Sequence, residues 1–571
     1  MGLATFILVS QYTTTTIFLI LLLHKLYQLV AFGLTQRKKP LPGNLPQNFP
    51  FVVVQVPVFN EVAVIQRSIN AVCALVWPAD RLRIHILDDS NDTTTEIANR
   101  EASEWRKRGV DVHVIRRDDR VGYKGGALQN DIDNHTPEQA QFFAIFDADF
   151  CPDPNFLTTV IPYFYDQESR FRENVGFVQT RWDYLNSDLN ILTKMQQIIL
   201  GAHFFLEQPF RHRTGRVFNF NGTGGVWNRK AIEDAGGWQH DTVIEDSDLS
   251  YRTWIEADYR FIYLRNVHCL NELPTKMSDY RSQQKRWTKG FGQLLRKHAW
   301  KVFSSRKVTL SQKVEFLYHC ISPISCIATV WLHMFYPLNV FTEVAVPWIW
   351  VGISVGCVLI FIVYYFAILW MIYDSFVGAC KNFWKLPVLY ILFSGLSVQL
   401  AYSMIEGIFS KDATFVRTPK RAEVTSVDPS FIPENRLAEA TEETERQCHR
   451  EPQCLAGEEG HYAGDLTKID DALTSSSDEQ ARDLKEVTKS QSSYFTTKLS
   501  FVAIMELLLA LWSIAFVVLA ALTLFHIPLT TSFNQNVFWL SSIIVLMLFT
   551  FTGYVWTSVS TLLTSLAALC S

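Results

Sequence analysis

The clearest chemical signal in the chain is a pair of carboxylates one residue apart, Asp147 and Asp149, directly after the apolar run 142–146. Two carboxylates with this spacing at a strand end can hold a hard divalent ion such as Mg²⁺ or Mn²⁺ against a diphosphate. The triplet alone is a weak signal, because Asp153 and Pro154 nearby also fit an ordinary turn. Its interpretation depends on the groups that accompany it.

Two further sets of polar residues have complementary chemistry. Glu245-Asp246 offers a base for the proton of an attacking hydroxyl, although an acidic pair at a helix start often only compensates the helix dipole. Gln283, Arg286 and Trp287 share one face of a predicted helix. There a guanidinium can bind a phosphate bidentately and an indole can stack on a sugar ring. As a bare pattern, this is an ordinary amphipathic helix.

These groups need a frame that brings strand ends together. Apolar runs that alternate with helical segments predict a parallel α/β sheet, and ligands of such sheets bind beyond the carboxyl ends of the strands. The predicted strands are 51–57, 82–87, 110–115, 142–146, 175–179 and 259–264. Asp88-Asp89 follows the second run, and Asp147 and Asp149 follow the fourth. Both pairs are therefore expected at one edge of the sheet.

Composition indicates a membrane protein, with 48% hydrophobic and 19% charged residues. A net charge of −4 gives no reason to expect nucleic acid as a partner, and the ten cysteines show no zinc or redox spacing. Several apolar stretches are long enough to cross ~30 Å of hydrocarbon. They are 5–23, 318–341, 346–373, 499–525 and 537–563. For the first of them, a buried helix remains an alternative.

Charge places the membrane segments relative to the cytosol. The basic run 37–39 after the first stretch favours the cytosolic side, which puts the N-terminus outside. The stretch 387–410 contains Gln399 and Glu406, and we expect it to lie in the membrane interface. Residues 421–497 hold 17 acidic and 8 basic residues and are expected to be disordered.

The order of these motifs resembles the processive family 2 glycosyltransferases, and more closely the cellulose synthase-like A and C groups. Those groups make mannan or glucomannan and the xyloglucan backbone. The resemblance covers about residues 50–300. The residues that carry it are Gln179-Thr180-Arg181-Trp182, Asn221-Gly222-Thr223, Gly236-Gly237-Trp238, Glu272-Leu273-Pro274 and Gln283-Gln284-x-Arg286-Trp287. Ser247, Thr288 and Lys289 depart from the residues usual in those groups, which leaves the product open.

The resemblance implies an α/β GT-A-type glycosyltransferase domain inserted in a polytopic α-helical membrane protein. It also implies roles for single residues. Asp246 would be the general base beside Glu245, and Asp147 and Asp149 would hold Mn²⁺ or Mg²⁺. The nucleotide-sugar would contact Pro57, Glu61, Asp88, Asp89, Lys124, Asp147, Gln283 and Arg286. The acceptor would contact Asn221, Gly222, Thr223 and Trp287. A gating loop would contain Phe415, Thr418 and Lys420.

The predicted organisation has six parts. A membrane anchor (1–36) precedes a cytosolic catalytic domain (50–300) that ends in amphipathic interface helices, and two transmembrane helices follow (315–375). An interfacial helix with the gating loop (385–420), the acidic loop (421–497) and two last transmembrane helices (498–565) complete it. Because the gating loop must reach a cytosolic site, we expect five spans and a cytosolic C-terminus.

The resemblance implies a processive polysaccharide synthase in the plasma membrane or the Golgi. It would transfer glucosyl or mannosyl units from UDP-glucose or GDP-mannose to the non-reducing end of a growing β-glycan. The transfer would proceed with inversion and with translocation of the product through the lipid bilayer. A homo-oligomer is left open. One alternative is a non-processive transferase that acts on a lipid-linked acceptor, and another is a transporter or scaffold with a decayed enzyme domain.

Overall fold

A computed structural model describes residues 2–341, 347–411, 418, 420, 422, 501–526 and 544–559. Phe415 and the acidic stretch 421–497, except Ala422, lie outside the described residues. The strands are β1 (Phe51–Val58), β2 (Leu82–Asp88), β3 (Val112–Ile115), β4 (Ala140–Ile145), β5 (Val175–Tyr184), β6 (Gly225–Asn228) and β7 (Arg260–Asn271). The helices that precede the last strand in the sequence are α1 (Leu3–Leu34), α2 (Ile65–Cys73), α3 (Thr94–Lys107), α4 (Tyr123–Asn134), α5 (Phe156–Val160), α6 (Ile191–Gly201), α7 (Gln208–Arg213), α8 (Arg229–Asp234) and α9 (Glu245–Ile255). Those that follow are α10 (Met277–Ser304), α11 (Leu310–Ile321), α12 (Ile324–Phe335), α13 (Trp348–Tyr373), α14 (Phe376–Lys381), α15 (Lys385–Phe409), α16 (Phe501–His526) and α17 (Ile544–Val559).

The strands form one seven-stranded sheet in the order β3-β2-β1-β4-β6-β5-β7. β1 runs parallel to β2 and β4, and its register pairs Val58 with Asp88 and Gln55 with Ile145. Alternate residues of β1 enter separate apolar clusters, with Val52 and Val54 in one and Val53 in the other. The sheet is therefore covered on both faces, as its continuous apolar strands predict.

One expectation about the elements was wrong. The sheet is mixed, because β6 pairs antiparallel with both β4 and β5. Helix α4 begins at Tyr123, so Lys124 lies in its first turn. The predicted span 318–341 is broken near Pro323 into two helices at 54°, as expected where proline removes a hydrogen-bond donor.

Four helices within the described residues are long and apolar enough to cross a membrane, or five if the bent pair forms one span. They are Ala4–Leu34, Trp348–Tyr373, Lys385–Phe409 and Val502–Leu519. Length alone thus allows α15 to span, whereas the sequence predicts that it lies in the interface.

The surroundings of α15 differ from those of the other three helices. Of its most apolar stretch, 67% is buried within the protein, against 11% for α1. Near its N-terminal end, Leu386 packs in one cluster with Met195 of α6. Near its C-terminal end, Glu406 accepts a hydrogen bond of 2.9 Å from Lys289 of α10. Both ends of α15 therefore contact the unit that contains the sheet.

Candidate active site

The predicted acidic residues meet at one edge of the sheet, beyond the carboxyl ends of β1, β2 and β4. Asp89 follows β2, and Asp147 and Asp149 follow β4 in a turn where the Phe150 amide donates to the Asp147 carbonyl at 2.9 Å. Parallel pairing of β1 with both neighbours brings these ends together. This is the expected ligand-binding position in an α/β sheet.

Lys124 connects three parts of this edge. Its ammonium is ion-paired with Asp147 and donates a 2.9 Å hydrogen bond to the carbonyl of Gly222. Burial alone would lower the pKa of Lys124, but the charges of Asp147 and Glu245 outweigh it and the pKa is raised. Lys124 therefore remains a cation beside the carboxylates, where a diphosphate would bind.

Asp246 and Glu245 lie in the first turn of α9 and face the same space. Burial, and next the adjacent charge of Glu245, raise the pKa of Asp246 to about 7. Burial likewise raises the pKa of Glu245. A carboxylate with a pKa near neutrality is suited to accept a proton from a hydroxyl.

A buried ion cluster holds α9 in place. Asp248 accepts hydrogen bonds from Arg252 and His298, each at 2.8 Å, and Lys297 lies 2.8 Å away. Burial would raise the pKa of Asp248, but these neighbours keep it well below its ordinary value. His298 and Lys297 belong to α10, so the cluster fixes α9, which carries Asp246, to the helix that carries Gln283.

The loop before β6 approaches Asp246 closely. Gly222 has φ +83°, and a β-carbon there would lie 3.1 Å from Asp246 Oδ2 and 3.5 Å from Lys124 Nζ. Gln179 holds this loop by donating to the carbonyls of Thr223 and Gly224, both at 3.0 Å. It also accepts from the Asn221 amide at 2.8 Å. The motif around Gln179 therefore shapes the loop that approaches Asp246.

α10 closes the opposite wall with Gln283, Arg286 and Trp287, all of which line the cavity. Burial lowers the pKa of Arg286, but a guanidinium stays charged at neutral pH. The wall thus offers a cation, an amide and an indole opposite Asp147 and Asp246.

Most predicted residues line one cavity. They are Pro57, Glu61, Asp89, Lys124, Asp147, Asp149, Asn221, Gly222, Glu245, Asp246, Gln283, Arg286, Trp287, Thr418 and Lys420. Two predicted contacts lie behind its wall. Asp88 is buried and accepts from the Ser90 amide at 3.0 Å and from Thr95 at 2.7 Å. Thr223 is fully buried, and its hydroxyl accepts from the Asp147 amide at 2.8 Å.

Asp88 and Thr223 therefore hold the site from behind, and their predicted contacts with nucleotide and acceptor stay predictions. Asp88 also pairs with Arg116 at 2.6 Å, which anchors the segment after β3. Thr223 fixes the backbone of Asp147. Asp89 lines the cavity, whereas Asp88, the last residue of β2, does not.

Sequence reasoning missed the arginines after β3. Arg117 forms a bidentate pair with Asp89 at 2.8 and 2.6 Å. Arg120 lines the cavity, and its guanidinium carbon lies 3.2 Å from the centroid of the Phe59 ring. The signal was present, since Arg116, Arg117 and Arg120 follow a strand whose end lies at this edge.

Lys420 reaches Asp149 from the segment predicted to gate the site. Its Nζ lies 2.7 Å from Asp149 Oδ2 and donates to the Glu272 carbonyl at 2.9 Å. Glu272, which sequence reasoning did not include among the site residues, pairs with Arg67 at 2.8 Å. Lys420 therefore contacts the second residue of the Asp-x-Asp pair.

The donor set fits a divalent ion only together with a substrate. Within the described ranges, no group of three or more His, Cys, Asp or Glu side chains is arranged to hold a metal. The side chain of Asp147 is 37% exposed and faces the cavity. Mg²⁺ keeps several waters and commonly takes one or two carboxylates plus substrate phosphates. Asp147 and Asp149 therefore suit an ion that arrives with a diphosphate.

The cavity has a volume of about 1450 Å³ and extends from the carboxylates into the apolar helices. Its far walls come from α1, α12, α13 and α17. Residues there include Leu22, Cys326, Trp350, Tyr365 and Phe549. One continuous space thus joins the polar site to the membrane helices.

Known families match the part of the chain that holds this site. Residues 53–229 match the family described as glycosyl transferase family 2. Residues 142–391 match the family described as glycosyl transferase family group 2. The two matches overlap and together include the sheet, α9, α10 and the start of α15.

The chain is also similar in sequence to plant proteins. Probable glucomannan 4-beta-mannosyltransferase 3 of Arabidopsis thaliana is 37% identical over 301 residues, covering 52% of this chain and 53% of its own length. Glucomannan 4-beta-mannosyltransferase 1 of Oryza sativa subsp. japonica is 37% identical over 316 residues, covering 54% of this chain and 60% of its own. The chain thus spans only about half to three fifths of these relatives. The predicted resemblance is confirmed over that part.

Among solved structures, a mannosyltransferase from Pyrobaculum calidifontis in complex with GDP-Man and Mn²⁺ aligns at a TM-score of 0.47 and 17% identity. The alignment covers 70% of this chain and 100% of that one.

Proposed function

We propose that the protein, of which residues 53–229 and 142–391 match glycosyl transferase family 2 models, is a membrane-embedded processive synthase of a β-glycan. The observation that carries the proposal is the continuous cavity, which joins Asp246, Lys124 and Arg286 to the apolar helices. An enzyme that adds single sugars to a soluble acceptor has no need of such a path. A synthase that feeds its product into the membrane does.

The donor is a nucleotide diphospho-sugar, and we propose a mannosyl donor such as GDP-mannose ahead of UDP-glucose. The support is the similarity to plant proteins named glucomannan 4-beta-mannosyltransferases. Asp89, with Arg117 behind it, suits the nucleoside end of the donor. Lys124 and Arg286 suit the two sides of its diphosphate.

Asp246 acts as the general base in this proposal. Its carboxylate takes the proton from the non-reducing-end hydroxyl of the acceptor as that oxygen attacks the sugar carbon. Attack from the side opposite the diphosphate inverts that carbon. Lys124 and Arg286 stabilise the negative charge that develops on the leaving diphosphate. Trp287 presents an apolar face for the terminal sugar of the acceptor.

Asp147 and Asp149 would hold Mn²⁺ or Mg²⁺ together with diphosphate oxygens, and the ion would supply further positive charge to the leaving group. In this structure the ammonium of Lys420 is ion-paired with the Asp149 carboxylate. Its ammonium would have to move when donor and ion bind, and it can then approach the diphosphate itself.

We propose a topology with the catalytic domain in the cytosol, five spans and a cytosolic C-terminus. The basic run 37–39 supports the cytosolic position of the domain. The contacts of both ends of α15 with the sheet-containing unit support its position in the interface. The N-terminal membrane anchor (1–36) corresponds to α1. The proposed membrane is the plasma membrane or the Golgi membrane, and the protein acts there as a monomer or a homo-oligomer.

The test is synthesis by purified protein in nanodiscs with Mn²⁺ and, separately, GDP-mannose and UDP-glucose. We expect polymer from one donor, digestible by a linkage-specific β-glycanase, and none from Asp246→Asn. Single-sugar products on lipid would favour the non-processive alternative. Failure to bind any nucleotide diphosphate in the presence of Mn²⁺ would favour a transporter or scaffold.

A further inference from the structure

Glu506 is the single Asp, Glu, Lys or Arg residue in the apolar helix α16. Its side chain is fully buried within the protein. A carboxylate in an apolar membrane helix is costly, and where it occurs it is commonly paired and functional. Nothing in the proposed chemistry uses this group directly, so its role has to be found in what it contacts.

The partner of Glu506 is Arg281, in the first turns of α10. The guanidinium donates to both carboxylate oxygens, at 2.9 and 2.8 Å, in a bidentate pair. Its Nε donates to Gln399 Oε1 of α15 at 2.6 Å, and Gln399 Nε2 donates back to the Arg281 carbonyl at 2.8 Å. Ser558 of α17 donates to Glu506 at 3.0 Å. The network thus joins α10, α15, α16 and α17.

α10 is the helix that carries the substrate-facing wall. Gln283 and Arg286 follow Arg281 by two and five residues, and both line the cavity with Trp287. Farther along α10, its backbone closely approaches that of α15. A β-carbon on Gly407 of α15 would lie 2.0 Å from the carbonyl oxygen of Lys289. α10 is therefore held along its length, and Arg281 is its link to the last helices.

We propose that the Arg281–Glu506 pair is a positioning clamp, which sets α10 so that Gln283, Arg286 and Trp287 face Asp246 at the distance that transfer requires. This inference rests on the proposed glycosyl transfer. Bidentate geometry restricts both the distance and the rotation of the two helices, and small displacements of positioned groups slow catalysis strongly. The last helices thereby contribute to catalysis without contacting substrate.

The experiment compares single and double substitutions at the pair. Arg281→Met and Glu506→Gln each leave one group without its bidentate partner, and we expect turnover to fall on the order of tenfold to a hundredfold. The KM for the donor should rise as well, because Arg286 on the displaced helix is proposed to bind the diphosphate. Ser513→Ala is the matched control in α16, since the Ser513 hydroxyl donates to the Leu509 carbonyl of its own helix.

Two double variants separate positioning from stability. The neutral pair Arg281→Met with Glu506→Gln removes the buried charges, so we expect normal thermal stability but no recovery of turnover. The exchanged pair Arg281→Glu with Glu506→Arg restores the attraction, and we expect turnover to recover at least in part. Full turnover in the neutral pair would overturn the proposal, as would an exchanged pair that folds normally but stays as slow as the single variants.

Hydrogen exchange of residues 277–304 supplies a readout that does not depend on activity. Loss of the clamp should speed exchange in the first turns of α10 and leave the strands of the sheet unchanged. If the parent protein makes no glycan but shows this response, the proposed function fails while the clamp stands. Unchanged exchange in both single variants would refute the clamp itself.

Discussion

Gly222→Ala gives a sharp test of the base, because the residue lies against Asp246 in a left-handed conformation. At φ +83° an alanine costs about 1–2 kcal/mol of backbone strain. Its β-carbon would also lie 3.1 Å from Asp246 Oδ2, which is closer than an ordinary contact, so the carboxylate must shift by a few tenths of an ångström. Since misplacing a reacting group by about 1 Å costs about a hundredfold, we expect turnover to fall roughly tenfold.

Gly224→Ala is the matched control. Gly224 also has a positive φ, +67°, but the atoms nearest to its β-carbon, in Cys269, Phe150 and Trp182, would lie at 3.5–3.6 Å, an ordinary contact distance. Both variants should lose about the same stability, measured by thermal unfolding in nanodiscs. Initial-rate kinetics should show the large fall in turnover only for Gly222→Ala. Equal loss of turnover in the two variants would refute the placement of Asp246 beside Gly222 in the working enzyme.

Four further predictions concern the same site. Turnover should fall roughly tenfold per pH unit below about pH 7, because Asp246 has a raised pKa of about 7 and accepts a proton only when ionised. Because the pKa of Asp246 is raised in the folded state, its contribution to stability is present below the ordinary pKa and is lost as the pH rises through about 7. Asp246→Asn should therefore unfold at the same or a higher temperature than the parent protein at pH 8. A pH-independent rate would contradict the first of these predictions, and a marked loss of stability in Asp246→Asn would contradict the second. Lys124→Met should weaken donor binding roughly tenfold or more in titration calorimetry, whereas Lys230→Met, whose partner Asp234 lies on the surface, should leave it unchanged; equal affinities would contradict the assignment. Chelation of divalent ions should abolish transfer, with recovery on addition of Mn²⁺ or Mg²⁺, and full activity in chelator would remove Asp147 and Asp149 from the proposed ion site.

The edge of the sheet was predictable because its parallel strands are continuous apolar runs whose ends coincide. Asp89, Asp147, Asp246 and Arg286, which the sequence assigned to one site, line one cavity. Strand β6 was not predictable from its pattern, since it is four residues long between a glycine-rich loop and a helix. Whether a side chain points into the cavity or behind its wall depends on the local backbone conformation. The sequence does not give that conformation, so it assigned Asp88 and Thr223 to the same site as their neighbours.

Contacts between distant segments were beyond sequence reasoning. Arg281 and Glu506 are 225 residues apart, and neither local spacing nor composition relates them. The proline at position 323 lies within an apolar run, so a kink was foreseeable there. The size of the bend, 54°, depends on how the two helices pack. The mode of membrane contact of α15 likewise depends on which neighbours bury it.

The central claim is processive synthesis, and it is tested most directly by the length of the first products. Purified protein in nanodiscs would receive radiolabelled donor for a few turnovers, followed by a large excess of unlabelled donor. Our account predicts a few chains that are already long while most acceptor ends remain unextended, with the label confined to the older part of each chain. Uniform growth of many short products, or single labelled sugars on lipid, would contradict it.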